Sequence, residues 1–392
     1  MDQATIIGEI EDIKGEVIRI RRHLHENPEL SFYEKNTAHF IADHLRNLSI
    51  EVRTRVGGNG VVGLIPGKNP TRTIALRADM DALPVMEETG LPFSSKVSGV
   101  MHACGHDNHV AMLLGAASII SRHRDELKNN VKLIFQPAEE DGGIGGAMPM
   151  IEDGALENPK VNNVFGIHIM SNYPSGTFAL RSGPIMAAPD HFHIKIRGKG
   201  GHGSAPDETI DPVFISAQVI NALYGIRARY MSQSRPLVIS VCMINAGTKD
   251  NIIPDELRME GTIRTLEENM RSDVKKKITD IISQLVKSYG AESTIKFKDN
   301  AYPVTYNDPE QTDKVRKLLS EIKGAKVLDI DSIMGGEDVS RFLEKAPGTF
   351  YFLGTRNEKK GLIYPNHSSK FTSDEDVLPL GIMSLVMIAF NI

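Results

Sequence analysis

Apolar residues recur at helical spacing near the start of the chain, at Ile6, Ile10, Ile13, Val17, Ile20 and Leu24, and predict an amphipathic helix over 6–26. A second helical stretch follows over 31–48. Short β-rich runs come next at 51–55, 60–65 and 73–78, then a helix over 107–120 and strands at 131–136 and 163–169. Strands alternating with helices predict an α/β sandwich around a largely parallel or mixed sheet.

The middle of the chain has a different rhythm. A strand at 191–196, a helix at 210–227, strands at 236–246 and 256–265, a long helix at 267–289 and a strand at 293–298 give the order βαββαβ. That is the ferredoxin-like unit, which closes on itself. Helix–strand patterning then resumes with a helix at 310–323, a strand at 349–353 and a helix at 377–390. The expected organisation is a mixed-sheet α/β sandwich built from 1–184 and 299–392, carrying an inserted ferredoxin-like domain at 185–298.

Composition narrows the picture. A chain of 392 residues exceeds the size at which single cores stop growing, about 250–300 residues. With 41% hydrophobic and 24% charged residues it is an ordinary globular sequence. A net charge of −5 argues against nucleic acid as a partner. Two cysteines, Cys104 and Cys242, make no disulfide framework. The first 22 residues are charged throughout, without the apolar core of a secretory signal. The longest apolar run, at 377–392, is broken by Pro379 and too short to span a bilayer. A cytoplasmic protein with no membrane partner is expected.

The densest chemistry lies in Met101-His-Ala-Cys104-Gly-His106-Asp-Asn-His109. Cys104 and His106, separated by one glycine, are tethered closely enough to share a metal ion. Thiolate plus imidazole suits zinc and its transition-metal neighbours better than magnesium or calcium. The bland reading is a buried cysteine beside solvent-facing histidines. A second signal is the acidic turn Glu139-Glu140-Asp141 after a strand. Adjacent carboxylates repel, so one needs a cation or proton nearby; one acid can then bind metal while the other acts as general base. The bland alternative is a solvated turn. His168 in an apolar strand and His367 in a polar turn read singly as structural residues. Asp79 and Asp81, after a strand, are either partners that orient metal-bound imidazoles or a helix-capping turn. Together these donors suffice for two metal ions.

Arg77-Ala-Asp79-Met-Asp81-Ala-Leu-Pro84, the run from His102 to His109, and Pro137-Ala-Glu139-Glu140 resemble the motifs of the aminoacylase/carboxypeptidase family of co-catalytic metallopeptidases. The chain looks like its amidohydrolase branch, with hippurate hydrolases, N-acyl amino acid deacylases and auxin-conjugate hydrolases. Residues 22–31 resemble that branch's N-terminal segment. The resemblance implies Cys104, His106, Glu140, His168 and His367 as metal ligands, with one donor shared between two ions. It implies Glu139 as general base and Asp81 as the residue orienting a ligand. Asp79 stands where other branches carry a ligand histidine, which puts the filling of one site in question. The implied cofactor is a divalent metal, zinc first, with manganese, cobalt or nickel as alternatives.

The inserted domain resembles the family's lid. His202, in Gly200-Gly-His202-Gly-Ser-Ala-Pro206, would steady the oxyanion in a neighbouring subunit's site, so the resemblance implies a homo-oligomer, dimer or tetramer. Asn251 and Arg264 would bind the substrate carboxylate, a task suited to the planar guanidinium fork. Gly335-Gly-Glu-Asp338 matches a loop near the site, or caps the helix after it. The implied activity is metal-dependent hydrolysis of amide bonds in short peptides or N-acylated amino acids with a free α-carboxylate. The rival readings are a narrow deacylase, a silent metal-binding scaffold, and a Cys104 nucleophile paired with His106.

Overall fold

The computed structural model describes residues 2–232 and 234–392. It forms two compact units. The first comprises Met1–Ile185, Tyr306–Asp331 and Asp338–Ile392; the second comprises Met186–Thr305 and Ser332–Glu337.

The first unit opens with α1 (Gln3–Glu26), capped by the Asp2 side chain, which accepts the Thr5 N–H at 3.0 Å. Its buried face is the predicted stripe from Ile6 to Leu24. α2 (Lys35–Asn47) starts four residues later than the pattern suggests. Residues 31–34 turn instead, because the Glu34 carboxylate accepts the N–H groups of Phe32 and Ala138 at 2.9 and 2.8 Å, and Phe32 adopts φ 69°. There follow β1 (Glu51–Val56), β2 (Gly60–Ile65), β3 (Thr73–Asp79), α3 (His106–Arg122), β4 (Asn130–Gln136), α4 (Ala147–Glu152), β5 (Asn163–Pro174) and β6 (Thr177–Leu180).

One eight-stranded sheet runs in the order β1, β2, β4, β3, β5, Thr349–Arg356, β6, Lys326–Asp329. Its β1–β2–β4 edge is antiparallel, and from β4 through β3 and β5 to Thr349–Arg356 it is parallel. β6 runs against Thr349–Arg356 and along Lys326–Asp329. The sheet is therefore mixed. Every residue of β3 is buried, as expected of a strand with both faces covered. α3 packs between α1 and the terminal helix Leu378–Asn391. Gly115 makes that approach possible, since a Cβ there would lie 2.9 Å from Ile382 Cδ1 and 3.0 Å from Val17 Cγ2.

The second unit arranges the strands Leu237–Ala246, Glu256–Thr265, Ala188–Arg197 and Glu292–Phe297 in that spatial order, all antiparallel. With the helices Pro212–Tyr230 and Glu268–Ser288 this is the ferredoxin-like βαββαβ unit. The second helix buries Met270, Val274, Ile278, Ile282 and Val286 against the sheet. Buried Asp190 ties it down through Arg271 and Lys275, each at 2.6 Å. No helix among the described residues is long and apolar enough to cross a membrane.

Candidate metal centre

The parallel strands of the first unit end on one edge, and the loops beyond their carboxyl ends hold the chemistry, as is usual for open α/β sheets. β3 leads to Asp79 and Asp81, β4 to Glu139 and Glu140, and β5 carries His168. The segment entering α3 supplies Cys104 and His106. Among the left-handed backbone positions beside these groups are Gly105 at φ 90°, Ala138 at φ 53° and His367 at φ 70°. Gly105 has no room for a side chain, because a Cβ would lie 2.4 Å from Ile169 Cδ1.

The five predicted ligands converge. Ligand atoms of Cys104, His106 and Glu140 lie within 4.8 Å of one another. Cys104 Sγ is 3.4 Å from His168 Nε2, and Glu140 Oε1 is 3.9 Å from His106 Nε2 and 3.2 Å from His367 Nε2. The hydrogen bonds leave these atoms with lone pairs available. His106 Nδ1 faces Asp81 Oδ1 at 3.2 Å, and His168 Nδ1 donates to the Ile169 carbonyl at 2.7 Å. Neutral His168 thus carries its proton on Nδ1 and turns an unprotonated Nε2 toward Cys104. In His106 the carboxylates of Asp79, Asp81 and Glu140 outweigh burial and raise the pKa to about 10, so a metal ion at Nε2 would take the place of a second proton. Buried His106 Nε2 and Glu140 Oε1 make no well-aligned hydrogen bond among the described residues; their contacts are ion pairs, Glu140 Oε1 with His367 Nε2 at 3.2 Å and His106 Nε2 with Asp79 Oδ2 at 3.6 Å. Buried polar atoms left in this state carry a cost unless something binds them. A soft thiolate, three imidazoles and a carboxylate around those orphaned atoms fit a divalent transition metal, with His106 placed for either of two ions.

The electrostatics agree. Burial, and then the carboxylates of Glu140, Glu139 and Asp79, push the Cys104 thiol well above its ordinary range. Each of these influences raises it, so a thiolate there needs a cation beside it. This counts against Cys104 as a nucleophile activated by His106. Burial also pushes His168 well below the usual imidazole range, keeping it neutral. Asp81 is fully buried; burial works to raise its pKa, but bonds from His106, the Glu140 N–H and Ser31 outweigh it. It therefore holds both His106 and the turn that carries Glu140. Glu139 is buried on the same turn, Glu139–Asp141.

Cys104 is buried, as the bland reading also expects, but the histidines of this segment do not face solvent. His102, His106 and His109 are all buried, and Asp79 and Asp81 cap no helix. Asp338 sits at the N-terminal end of the helix Val339–Lys345 but makes no capping bond. Its carboxylate instead accepts from Gln136 Nε2 at 2.6 Å and from the Gly146 and Ala147 N–H groups, both at 3.0 Å. Sequence reasoning missed Asn366. Its side chain accepts from Ser171 and donates to the carbonyls of Cys104 and Ile169, tying the His367 turn to two other ligand segments. The only signal was its place next to His367 in a polar turn.

In the second unit His202 is exposed, with Nδ1 accepting the Ser204 N–H at 3.1 Å. It pairs with Ile252, and the Gly203 N–H bonds the Asn251 carbonyl at 2.9 Å, so His202 and Asn251 are neighbours. Arg264 is not with them. It lies eight residues along the strand from Glu256, roughly 26 Å of extended chain away.

A family model described as peptidase family M20/M25/M40 matches residues 75–391. The chain is 57% identical over 383 residues to thermostable carboxypeptidase 1 of Saccharolobus solfataricus, a match covering 97% of this chain and 96% of that one. It is 39% identical over 366 residues to N-acetyl-L-cysteine deacetylase of Bacillus subtilis, covering 93% of this chain and 85% of the relative. Among solved structures, a dinuclear metal-binding peptidase from Bacillus subtilis superposes with a TM-score of 0.83 at 35% identity, covering 97% of this chain and 99% of the other.

Proposed function

The chain belongs to peptidase family M20/M25/M40, a metallohydrolase family, and from that premise we propose that it releases amino acids from short peptides or N-acylated amino acids by hydrolysing an amide bond beside a free α-carboxylate. The observation that carries this reading is the convergence of the Cys104, His106, Glu140, His168 and His367 donors on one another, beside buried Glu139. The donor set favours zinc, with manganese, cobalt and nickel as competitors. When bound there, divalent ions supply positive charge that polarises the scissile carbonyl and lowers the pKa of a water toward about 7.

The chain's own residues do the rest. Glu139 takes the proton of the attacking water and passes it to the amide nitrogen, so that the C–N bond breaks with a neutral amine leaving. His202 accepts at Nδ1, so its proton sits on Nε2, suited to donate to the oxyanion. Arg264 and Asn251 serve the substrate carboxylate, one from each of two subunits, because within one unit they stand far apart. That sharing requires a homo-oligomer. Leu237–Ala246 is an edge strand exposing Met243 and Ile244, a surface a second copy can cover. A cytoplasmic setting suits the protein, since Cys104 must stay reduced to bind metal.

The test combines metal analysis with a panel of N-acyl amino acids and dipeptides. Cys104→Ser should lose metal. Glu139→Gln should keep metal near wild type and lose turnover. Substantial turnover by Glu139→Gln removes Glu139 as the base. A single accepted N-acyl amino acid in the panel identifies a narrow deacylase, and none a silent scaffold.

A further inference from the structure

A second donor group sits beside the proposed centre: atoms of Asp79, His106, His109 and His168 also lie within 4.8 Å of one another. Its hydrogen bonds show a different use. β3 and β5 pair in parallel only as far as Arg77 and Gly166. Beyond that point β3 continues to Asp79 and β5 to Pro174. His109, on the first turn of α3, fills the split. Its Nδ1 lies 2.5 Å from Asp79 Oδ1, and its Nε2 lies 2.8 Å from the Ile169 nitrogen. A backbone N–H can only donate, so Nε2 is the acceptor and Nδ1 carries the proton. Both ring nitrogens are spent, and none is left for a metal.

The connection continues both ways. The Ile169 carbonyl receives the His168 Nδ1–H, the bond that leaves His168 Nε2 unprotonated where it faces Cys104 Sγ. On the other side Asp79 Oδ2 accepts Arg77 Nη1 at 2.7 Å. Arg77 donates from Nε to Gln136 at 2.8 Å and from Nη2 to Asp338 at 3.2 Å. Asp338 in turn holds the Gly146 and Ala147 N–H groups, at the far end of the loop bearing Glu139 and Glu140.

We infer that Arg77, Asp79 and His109 form a positioning relay that aims His168 from one end and braces the Glu139–Glu140 loop from the other, with Asp79 acting as a hydrogen-bond acceptor and not as a metal ligand. The relay rests on the proposed metal centre. Partners of this kind orient ligand imidazoles, and their loss typically weakens metal binding ~10–100-fold.

The test uses the full chain loaded with Co2+, reading its visible absorption, its Co2+ dissociation constant, and kcat and KM separately. His109→Gln places a carbonyl and an amide NH2 where both bonds can be remade. His109→Asn is shorter and keeps only the Asp79 side. The relay predicts that His109→Asn shifts the spectrum, weakens Co2+ ~10–100-fold and lowers kcat more than KM changes, while His109→Gln restores most of each. Asp79→Asn should still bind the wild-type number of ions. Equal behaviour of the Gln and Asn variants, a wild-type spectrum and affinity in His109→Asn, or an ion lost outright in Asp79→Asn overturns the relay. Cys104→Ser is the separate check on the centre: if it too leaves Co2+ binding unchanged, the metal-centre reading falls and takes the relay with it.

Discussion

Gly146 offers the sharpest test of how rigidly the acidic loop is held. Its ideal Cβ would lie 1.7 Å from the Pro137 carbonyl oxygen and 2.7 Å from the carbonyl carbon. Both are backbone atoms, so no side chain can swing aside. Separation to the 3.0 Å that real Cβ atoms respect requires a shift of about 1.3 Å between the two ends of the loop. Neither end yields cheaply. The Gly146 N–H is fastened to Asp338, and the Ala138 N–H to Glu34. Glu139 and Glu140 lie between. A misplacement of about 1 Å can cost ~10²-fold in rate, which is about 2.7 kcal/mol of transition-state stabilisation. Overpacking of this kind costs ~1–3 kcal/mol of stability besides. Gly146→Ala should therefore lower kcat/KM on an N-acyl amino acid ~100-fold while the far-ultraviolet circular dichroism stays native. Gly8→Ala, on α1 with nothing within 4 Å of its Cβ, is the matched control and should leave activity unchanged. A Gly146→Ala enzyme within threefold of wild type, with full metal content, would refute the argument that this close approach fixes the loop.

The metal-free protein should be acid-labile. Burial depresses His102 to about 4, and in Glu87 the bonds from His25, Thr89 and the Ser95 N–H outweigh burial and bring it to about 2. Both folded values lie below the unfolded ones, so stability falls as pH falls, from 6.5 through 4 for His102 and from 4.5 toward 2 for Glu87. The His102 part amounts to about 3 kcal/mol; thermal melts of chelated protein from pH 7.5 to 4 should show it, and an equally steep decline in His102→Met would exclude His102 as its source. Arg264→Ala should raise KM for substrates bearing a free α-carboxylate at least tenfold and leave the corresponding amides unaffected; equal loss on both classes removes Arg264 from carboxylate recognition. Glu139→Gln and His202→Ala should each be inactive alone, yet mixed subunits should regain about a quarter of wild-type turnover if His202 serves a partner's site. No recovery in verified mixed oligomers would place His202 in its own subunit's chemistry or outside it.

Long periodic segments could be read from the sequence because their burial is periodic too. The α1 stripe, the βαββαβ order and the stretch at 256–265 appear in the fold nearly as patterned. Short segments could not. β6 and Lys326–Asp329 carry too few residues to show a period, and 31–34 abandoned helix because Glu34 bonds a loop about a hundred residues away. The donor residue types and their order were likewise visible along the chain, since thiol, imidazole and carboxylate are chemically distinctive wherever they occur. Which donors keep a lone pair was decided only by the tertiary structure. His106, His109 and His168 look equivalent in one dimension. Folding spends both nitrogens of His109 on Asp79 and Ile169, leaves Nε2 of His106 without a hydrogen bond among the described residues, and turns Nε2 of His168 to the Cys104 sulfur. A hydrogen bond depends on atoms brought together in space from distant parts of the chain, and sequence spacing does not encode that distance.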